Sequence, residues 1–120
     1  MEMETLTERV RQTFLREGLA WAAGLFDGEG STSIARRGVR LAVKQHEPTV
    51  LLKFQDAVGL GTVYGPYAIK GREGFFEWSF VVTRFEHVQA VVAMLWPWLG
   101  PVKRYQARVA LLHAKEALCA

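Results

Sequence analysis

Residues 21–30 read Trp-Ala-Ala-Gly-Leu-Phe-Asp-Gly-Glu-Gly, and the interpretation of the whole chain starts from this stretch. Its alanine-rich first half predicts a helix from Leu19 to about Phe26. Its second half sets two carboxylates among glycines, which predicts that the helix ends within residues 27–30. The small residues leave one side of this helix smooth, so a second helix could approach it closely.

The chain has 120 residues, of which 50% are hydrophobic, and it suits one domain spanning residues 1–120. Lys and Arg number 15 against 12 acidic residues. The basic residues are concentrated locally, because Arg36, Arg37, Arg40 and Lys44 lie in residues 31–46, where there is no acid. This local charge is a better indication of a polyanionic partner than the net charge is, and the alternative is a sheet face that contacts only solvent. No membrane and no small-molecule substrate is expected as a partner.

One cysteine, Cys119, is present, so no internal disulfide can form. The N-terminus is acidic and then amphipathic, unlike a signal peptide, and no apolar run is long enough to cross a membrane. We therefore expect an intracellular protein that is not secreted.

Helix signals recur along the chain. Thr5 with Glu8 is a capping-box pattern that predicts a helix over about 6–16, interrupted by Gly18. Pro48 predicts the start of a helix that Gly59 stops. A second capping box, Thr83 with Glu86, predicts a helix to about residue 96, and a last helix is predicted over about 102–118.

Two strand pairs lie between these helices. Residues 31–44 alternate in polarity around Gly38, and residues 61–69 and 75–82 flank a turn, which predicts two β-hairpins. The predicted fold class is α+β, with an antiparallel sheet covered by helices on one face. The residues predicted for the bare outer face are Ser33, Ala35, Arg37, Arg40, Ala42, Lys44, Thr62, Tyr64, Lys70, Arg72, Glu77 and Ser79.

Residues 22–30 resemble the LAGLIDADG motif of homing endonucleases. Ala23, Gly24, Leu25, Asp27 and Gly30 match the motif, and Phe26, Gly28 and Glu29 are familiar alternatives, whereas Ala22 replaces the leading leucine. The resemblance extends over the following hairpin, helix, hairpin and helices, including segments 41–45, 58–63 and 99–104. It implies an αββαββα core with a saddle-shaped sheet.

The resemblance also implies a site. Glu29 and the Gly28 carbonyl would bind Mg²⁺, for which Mn²⁺ or Ca²⁺ can substitute in binding. Gln45 would order water and Lys103 would stabilise negative charge, with Glu47 and Arg104 as the respective alternatives. Asp27 is expected to act mainly in structure, by bonding backbone groups.

One motif in a chain without internal repeats implies that a second copy completes the site, which predicts a C2 homodimer. The residues expected at its interface are Ala20, Trp21, Ala23, Gly24 and Asp27. Two subunits would span roughly 50 Å, or about 16 base pairs of double-stranded DNA. The implied function is a metal-dependent endonuclease that cuts both strands of a long, nearly palindromic site.

Two other functions stay open at this stage. The first is a nucleic-acid binder of the same fold that does not cleave, such as an RNA splicing maturase or a transcriptional regulator. The second is an α+β interaction domain whose motif is accidental. A DNA affinity that falls steeply with salt would disfavour the second.

Overall fold

Two β-hairpins separated by a helix build one four-stranded sheet. The computed structural model describes residues 2–36 and 38–119, with side chains described from residue 5 onward. The elements in chain order are α1 (Glu2–Glu29), β1 (Gly30–Ala35), β2 (Gly38–Gln45), α2 (Pro48–Val58), β3 (Thr62–Ala68), β4 (Phe76–Val82), α3 (Phe85–Leu95), a 3₁₀ turn (Trp96–Trp98) and α4 (Pro101–Cys119). The predicted α+β class and αββαββα order are confirmed, with α4 following them.

The sheet order is β1-β2-β4-β3, and every neighbouring pair is antiparallel. Strands β2 and β4 are central, with Lys44 opposite Ser79 and Val43 opposite Phe80. Since side chains alternate across a strand, Val43 and Phe80 face the helices while Lys44 and Ser79 face outward.

The core lies between the inner face of the sheet and the helices. Phe26 of α1 stacks on Phe54 of α2 with ring centroids 6.5 Å apart, and Phe54 meets Phe80 edge-on at 4.8 Å. All three side chains are essentially fully buried. This aromatic row ties the motif helix to the centre of the sheet.

Helix α2 matches its prediction at both ends. Pro48 lies in its first turn, and Gly59 adopts a left-handed conformation (φ 71°) at its C-cap. The N-cap is Glu47, whose side chain accepts a hydrogen bond from the Thr49 N–H at 2.8 Å.

Helix α1 differs from its prediction, because Glu2–Glu29 is one continuous helix. A glycine inside a helix costs only about 1 kcal/mol. Ala22 and Phe26, buried one and two turns after Gly18, offset that cost through packing. Thr5 therefore lies inside the helix rather than at its N-cap.

The second predicted capping box is also wrong. The N-cap of α3 is Arg84, which makes no side-chain capping hydrogen bond. The chain leaves β4 at Val82, so Thr83 lies in the connection before the cap.

The motif helix ends within the predicted residues 27–30. It stops at Glu29 and passes directly into β1 at Gly30, and neither Gly28 nor Gly30 is left-handed. Gly30 is buried, and a Cβ there would collide with the ring of Phe26. The missing side chain therefore allows close packing inside the protomer.

Within residues 2–36 and 38–119, no helix is both long enough and apolar enough to cross a membrane.

Candidate active site and nucleic-acid interface

Glu29 is the last residue of α1, and its side chain is exposed. Gly30 pairs with Val43, which brings the end of α1 beside the end of β2. A concavity of about 510 Å³ lies at this edge of the sheet. Its lining residues are Glu29, Ser31, Ala42, Lys44, Gln45, His46 and Glu77. Glu29 and Gln45, predicted to act together, therefore share one cavity.

Lys103 approaches the same junction from α4. Its Nζ donates a hydrogen bond to the Gly30 carbonyl oxygen at 2.6 Å, and the side chain is half-buried. A cationic group thus lies next to the residue that follows Glu29. The fold brings all three predicted catalytic side chains to one end of the sheet.

The two alternative residues are both occupied elsewhere. Arg104 donates from Nε and Nη2 to the Trp96 carbonyl at 3.2 and 2.7 Å, and its guanidinium lies 5.0 Å from the Trp96 ring centroid. Glu47 caps α2. Hydrogen bonds from the Thr49 side chain and then from the Thr49 backbone hold the pKa of Glu47 below its usual value. Neither Arg104 nor Glu47 lines the cavity that Glu29 and Gln45 share.

Asp27 has the structural role predicted for it. Its carboxylate accepts a hydrogen bond from the Gly100 N–H at 2.8 Å. Gly100 directly precedes α4, and Lys103 lies three residues further on. The Asp27 contact therefore fixes the start of the helix that carries Lys103.

Small residues of the motif lie on two different sides of α1. Ala22 and Ala23 are fully buried in the core of the protomer. Gly24 and Gly28 are exposed, and a Cβ added at either would meet no atom within 4 Å. The assignment of Ala23 to a dimer interface is therefore wrong, because its own chain already covers it.

The other predicted interface residues lie closer to the surface. Ala20 is half-buried and Asp27 is exposed. Trp21 is half-buried, and the Nζ of Lys53 lies 4.1 Å from its ring centroid. Of these side chains, Ala20 and Gly24 leave the most room for another helix.

Known proteins of this architecture were found among solved structures, whereas no protein-family model and no curated protein matches the sequence. The homing endonuclease I-CvuI, in complex with the I-CreI target, matches with a TM-score of 0.69 and 27% identity. The alignment covers 88% of this chain and 70% of that one. This chain has the fold of the LAGLIDADG homing endonucleases.

Two further solved structures with this fold match with lower TM-scores. The LAGLIDADG meganuclease I-AabMI, bound to uncleaved DNA, matches with a TM-score of 0.63 and 19% identity over 80% of this chain and 35% of that one. The LAGLIDADG homing endonuclease I-GzeII, in complex with its DNA target, has a TM-score of 0.59 and 25% identity. That alignment covers 79% of this chain and 34% of I-GzeII. The resemblance seen in the motif thus holds for the fold.

The homing-endonuclease sheet has the outer face that alternation predicted for its strands. Ser33 pairs with Arg40, Lys44 with Ser79, and Tyr64 with Ser79. Ala35, Thr62 and Glu77 lie on the same face by register. Ala42 is also on this face but is only 9% exposed, so it offers little surface for contact.

The remaining predicted residues lie outside the strands. Lys70 and Arg72 belong to the loop between β3 and β4, and the Arg72 guanidinium lies 4.6 Å from the centroid of the Phe75 ring. Arg37 falls outside the described residues. Alternation within a strand could not place these three side chains, because none of them is in a described strand.

Sequence reasoning missed three residues of the outer face, namely Ser31, Tyr67 and Val81. Ser31 and Val81 both pair with Ala42, so the same alternation that identified Ser33 and Ser79 would have found them. Tyr67 pairs with Glu77, but a register shift between Tyr64 and Tyr67 changes the alternation of β3. The signal that could have located this shift is the pair Gly65-Pro66, because glycine and proline inside a strand are typical of a bulge.

A second concavity, of about 380 Å³, lies on the outer face. Its lining residues are Arg40, Lys44, Tyr64, Tyr67, Glu77, Ser79 and Val81. The Ser79 hydroxyl is buried beneath this surface and has no hydrogen-bond partner within the part of the chain that the structure describes. The face itself offers cationic donors and a carboxylate acceptor side by side.

One protomer does not supply a complete metal site. In residues 2–36 and 38–119, no group of three or more His, Cys, Asp or Glu side chains could hold a metal ion. Glu29 provides one exposed carboxylate, and the Gly28 carbonyl lies in the last turn of α1, where carbonyls lack helical partners. These oxygens suit a hard divalent cation only if further ligands come from outside this chain.

Proposed function

We propose that this chain is a DNA endonuclease of the homing type. It acts as a C2 homodimer and cuts both strands of a long, nearly palindromic site with the help of a divalent cation. The cavity that Glu29 and Gln45 share at the end of the motif helix supports this proposal, as does the hydrogen bond from Lys103 to the adjacent Gly30 carbonyl. The similarity to I-CvuI supports it, since that protein was crystallised on DNA with Mg or with Ca.

The donor set fits Mg²⁺, with Mn²⁺ or Ca²⁺ able to replace it in binding. Glu29 and the Gly28 carbonyl of each chain supply oxygen ligands, and the twofold axis brings two such sets together. A divalent cation there would neutralise charge on the scissile phosphate and lower the pKa of a nearby water.

The other two side chains act on water and charge. The Gln45 amide can both donate and accept hydrogen bonds, so it orients water in the cavity it shares with Glu29. Lys103 lies against Gly30 as a cation, which favours negative charge developing on a phosphate placed beside Glu29.

The outer face of the sheet binds the duplex. Arg40 and Lys44 donate to phosphates or to guanine edges, and Glu77 accepts from the amino group of cytosine. Positive charge on this face makes the affinity depend steeply on salt.

Cleavage of a plasmid library that carries a randomised duplex segment, in Mg²⁺, tests the proposal. Cleaved sites should show twofold symmetry. On a selected site, Glu29→Gln should abolish cleavage while duplex binding is retained, and Lys103→Met should slow cleavage about 10²- to 10³-fold. Glu116→Gln is the matched control, because Glu116 is exposed near the end of α4, and it should cut like the parent.

Failure of the parent chain to cut any site, with binding unchanged by Glu29→Gln, would overturn the nuclease proposal. It would instead support a nucleic-acid binder that uses the same sheet without chemistry, such as a splicing maturase or a transcriptional regulator.

A further inference from the structure

The first part of α1 extends beyond the rest of the protomer. Every described residue from Thr5 to Glu17, here called the N-terminal arm, is exposed. The arm nevertheless carries large apolar side chains, with Leu6 at 64%, Val10 at 65% and Phe14 at 75% exposure. A lone helix of this length is marginal in water, and its exposed apolar stripe calls for a partner surface.

The apolar stripe of the arm lies in line with the side of the motif helix that carries the exposed residues Gly24 and Gly28. Leu6 and Gly24 are eighteen residues apart, as are Val10 and Gly28, and eighteen residues are five full helical turns. Leu6 and Val10 therefore lie on the side of α1 that carries the two exposed glycines. The buried residues Ala22 and Phe26 lie on the opposite side.

The middle of this side is self-complementary in charge. Arg16 and Glu17 line a groove with Thr13, Ala20 and Trp98, and Trp98 is 38% exposed. A second α1 helix laid along this groove in parallel would bring its own Arg16 near Glu17 of the first chain. Arg16 of the first chain would likewise lie near Glu17 of the second. A twofold axis doubles such a pair.

We propose that the N-terminal arms of two copies of this chain pair side by side, parallel and in register, as a short two-helix coil. The inference rests on the homodimer of the proposed function and extends its contact beyond the motif. Leu6 and Val10 then each lie opposite the same residue of the other chain, since both helices are related by one twofold axis. Phe14 lies about 80° from Leu6 around the helix and flanks this contact, whereas exposed Leu15 lies on the far side.

The area of contact favours a second copy as the occupant. Residues 20–28 give a strip about 13 Å long and about 10 Å wide, on the order of 130 Å² per chain. Stable interfaces bury about 800 Å² per partner. Pairing of the arm adds about 18 Å of helix with large side chains, which more than doubles this strip.

Cysteine cross-linking tests the register in the full-length chain with Cys119→Ser, which removes the native thiol. Val10→Cys should form a disulfide-linked dimer on mild oxidation, because its side chain faces its own copy. Gln12→Cys is the control, since this position points about 160° away from Val10 around the helix. The fraction of disulfide-linked dimer should be at least tenfold smaller for Gln12→Cys than for Val10→Cys. A dimer in which Gln12→Cys links as well as Val10→Cys would overturn the proposal.

Sedimentation gives the energetic test. The triple change Leu6→Ala, Val10→Ala and Phe14→Ala should raise the dimer dissociation constant about 100-fold or more. The control pair Glu8→Ala and Gln12→Ala should change it less than threefold, because these exposed residues lie about 160° and 120° from Leu6 around the helix. The arm lies outside the core, so circular dichroism of the triple variant should keep its cooperative unfolding transition.

The Gly24→Leu variant distinguishes the arm proposal from the proposed dimer contact through the motif helix. If this change yields monomers while the triple variant dimerises like the parent, the arm proposal fails and the motif homodimer stands. If the parent chain is itself monomeric on its duplex, both proposals fail.

Discussion

The two faces of the sheet are made from the same four strands but carry opposite kinds of residue. The inner face holds Val43 and Phe80, which are fully buried under the helices. The outer face holds Arg40 and Lys44 as exposed cations and the Ser79 hydroxyl without a partner among the described residues. The inner face therefore stabilises the protein through burial, whereas the outer face presents exposed charged groups that can bind a ligand.

The largest effect should come from the aromatic row beneath the inner face. Phe54→Ala removes the ring that contacts both Phe26 and Phe80, and it should lower the free energy of unfolding by about 3–5 kcal/mol. Denaturant unfolding measures this loss. Leu52→Ala is the control on the same helix, since Leu52 is 48% exposed and should cost well under half as much. Equal losses for both would contradict the division between the faces.

A change on the outer face should weaken duplex binding and leave the free energy of unfolding nearly unchanged. Lys44→Ala should weaken duplex binding by about 1–3 kcal/mol and make binding less sensitive to salt. Its unfolding free energy should stay within about 0.5 kcal/mol of the parent. Binding titrations at several salt concentrations measure the first effect, and Lys115→Ala on α4 serves as the control. If Lys44→Ala destabilised the fold as much as it weakened binding, the outer face would not be specialised.

The smallest effect concerns Glu47, an exposed residue that acts on stability alone. Because hydrogen bonds from Thr49 lower its pKa in the folded state, its contribution is present at neutral pH. It is lost as the pH falls through that lowered pKa, below the usual glutamate value of about 4. Glu47→Gln should therefore lower the melting temperature slightly at pH 7 and not below about pH 3. If the difference in melting temperature between the parent and Glu47→Gln increased toward acidic pH, the prediction would be wrong.

Much of the fold could be predicted from local patterns. Alternation located both hairpins, and Pro48 and Gly59 marked both ends of α2. These signals are readable because turn, cap and strand preferences act between near neighbours in the chain. The capping patterns at Thr5 and Thr83 misled, because α1 already begins at Glu2 and the N-cap of α3 is Arg84 rather than Thr83.

The candidate site was predicted less completely. The motif identified Glu29, but Lys103 and Arg104 are adjacent and of equal charge, so spacing could not separate them. The structure distinguishes their contacts, since the Trp96 carbonyl and ring hold Arg104 whereas Lys103 donates to the Gly30 carbonyl beside Glu29, and the proposal therefore uses Lys103.

The sequence by itself determined the element order, the helix-ending carboxylates and the alternation that divides each strand between two faces, because these depend on contacts within a few residues. The tertiary structure decided the rest. It set β2 against β4, turned Ala23 into the core while leaving Gly24 open, and brought α4 under the end of α1. Those outcomes depend on packing between residues far apart in the chain, such as the hydrogen bonds that Gly100 donates to Asp27 and Lys103 donates to Gly30, each across 73 positions. Local preferences carry no information on such pairings.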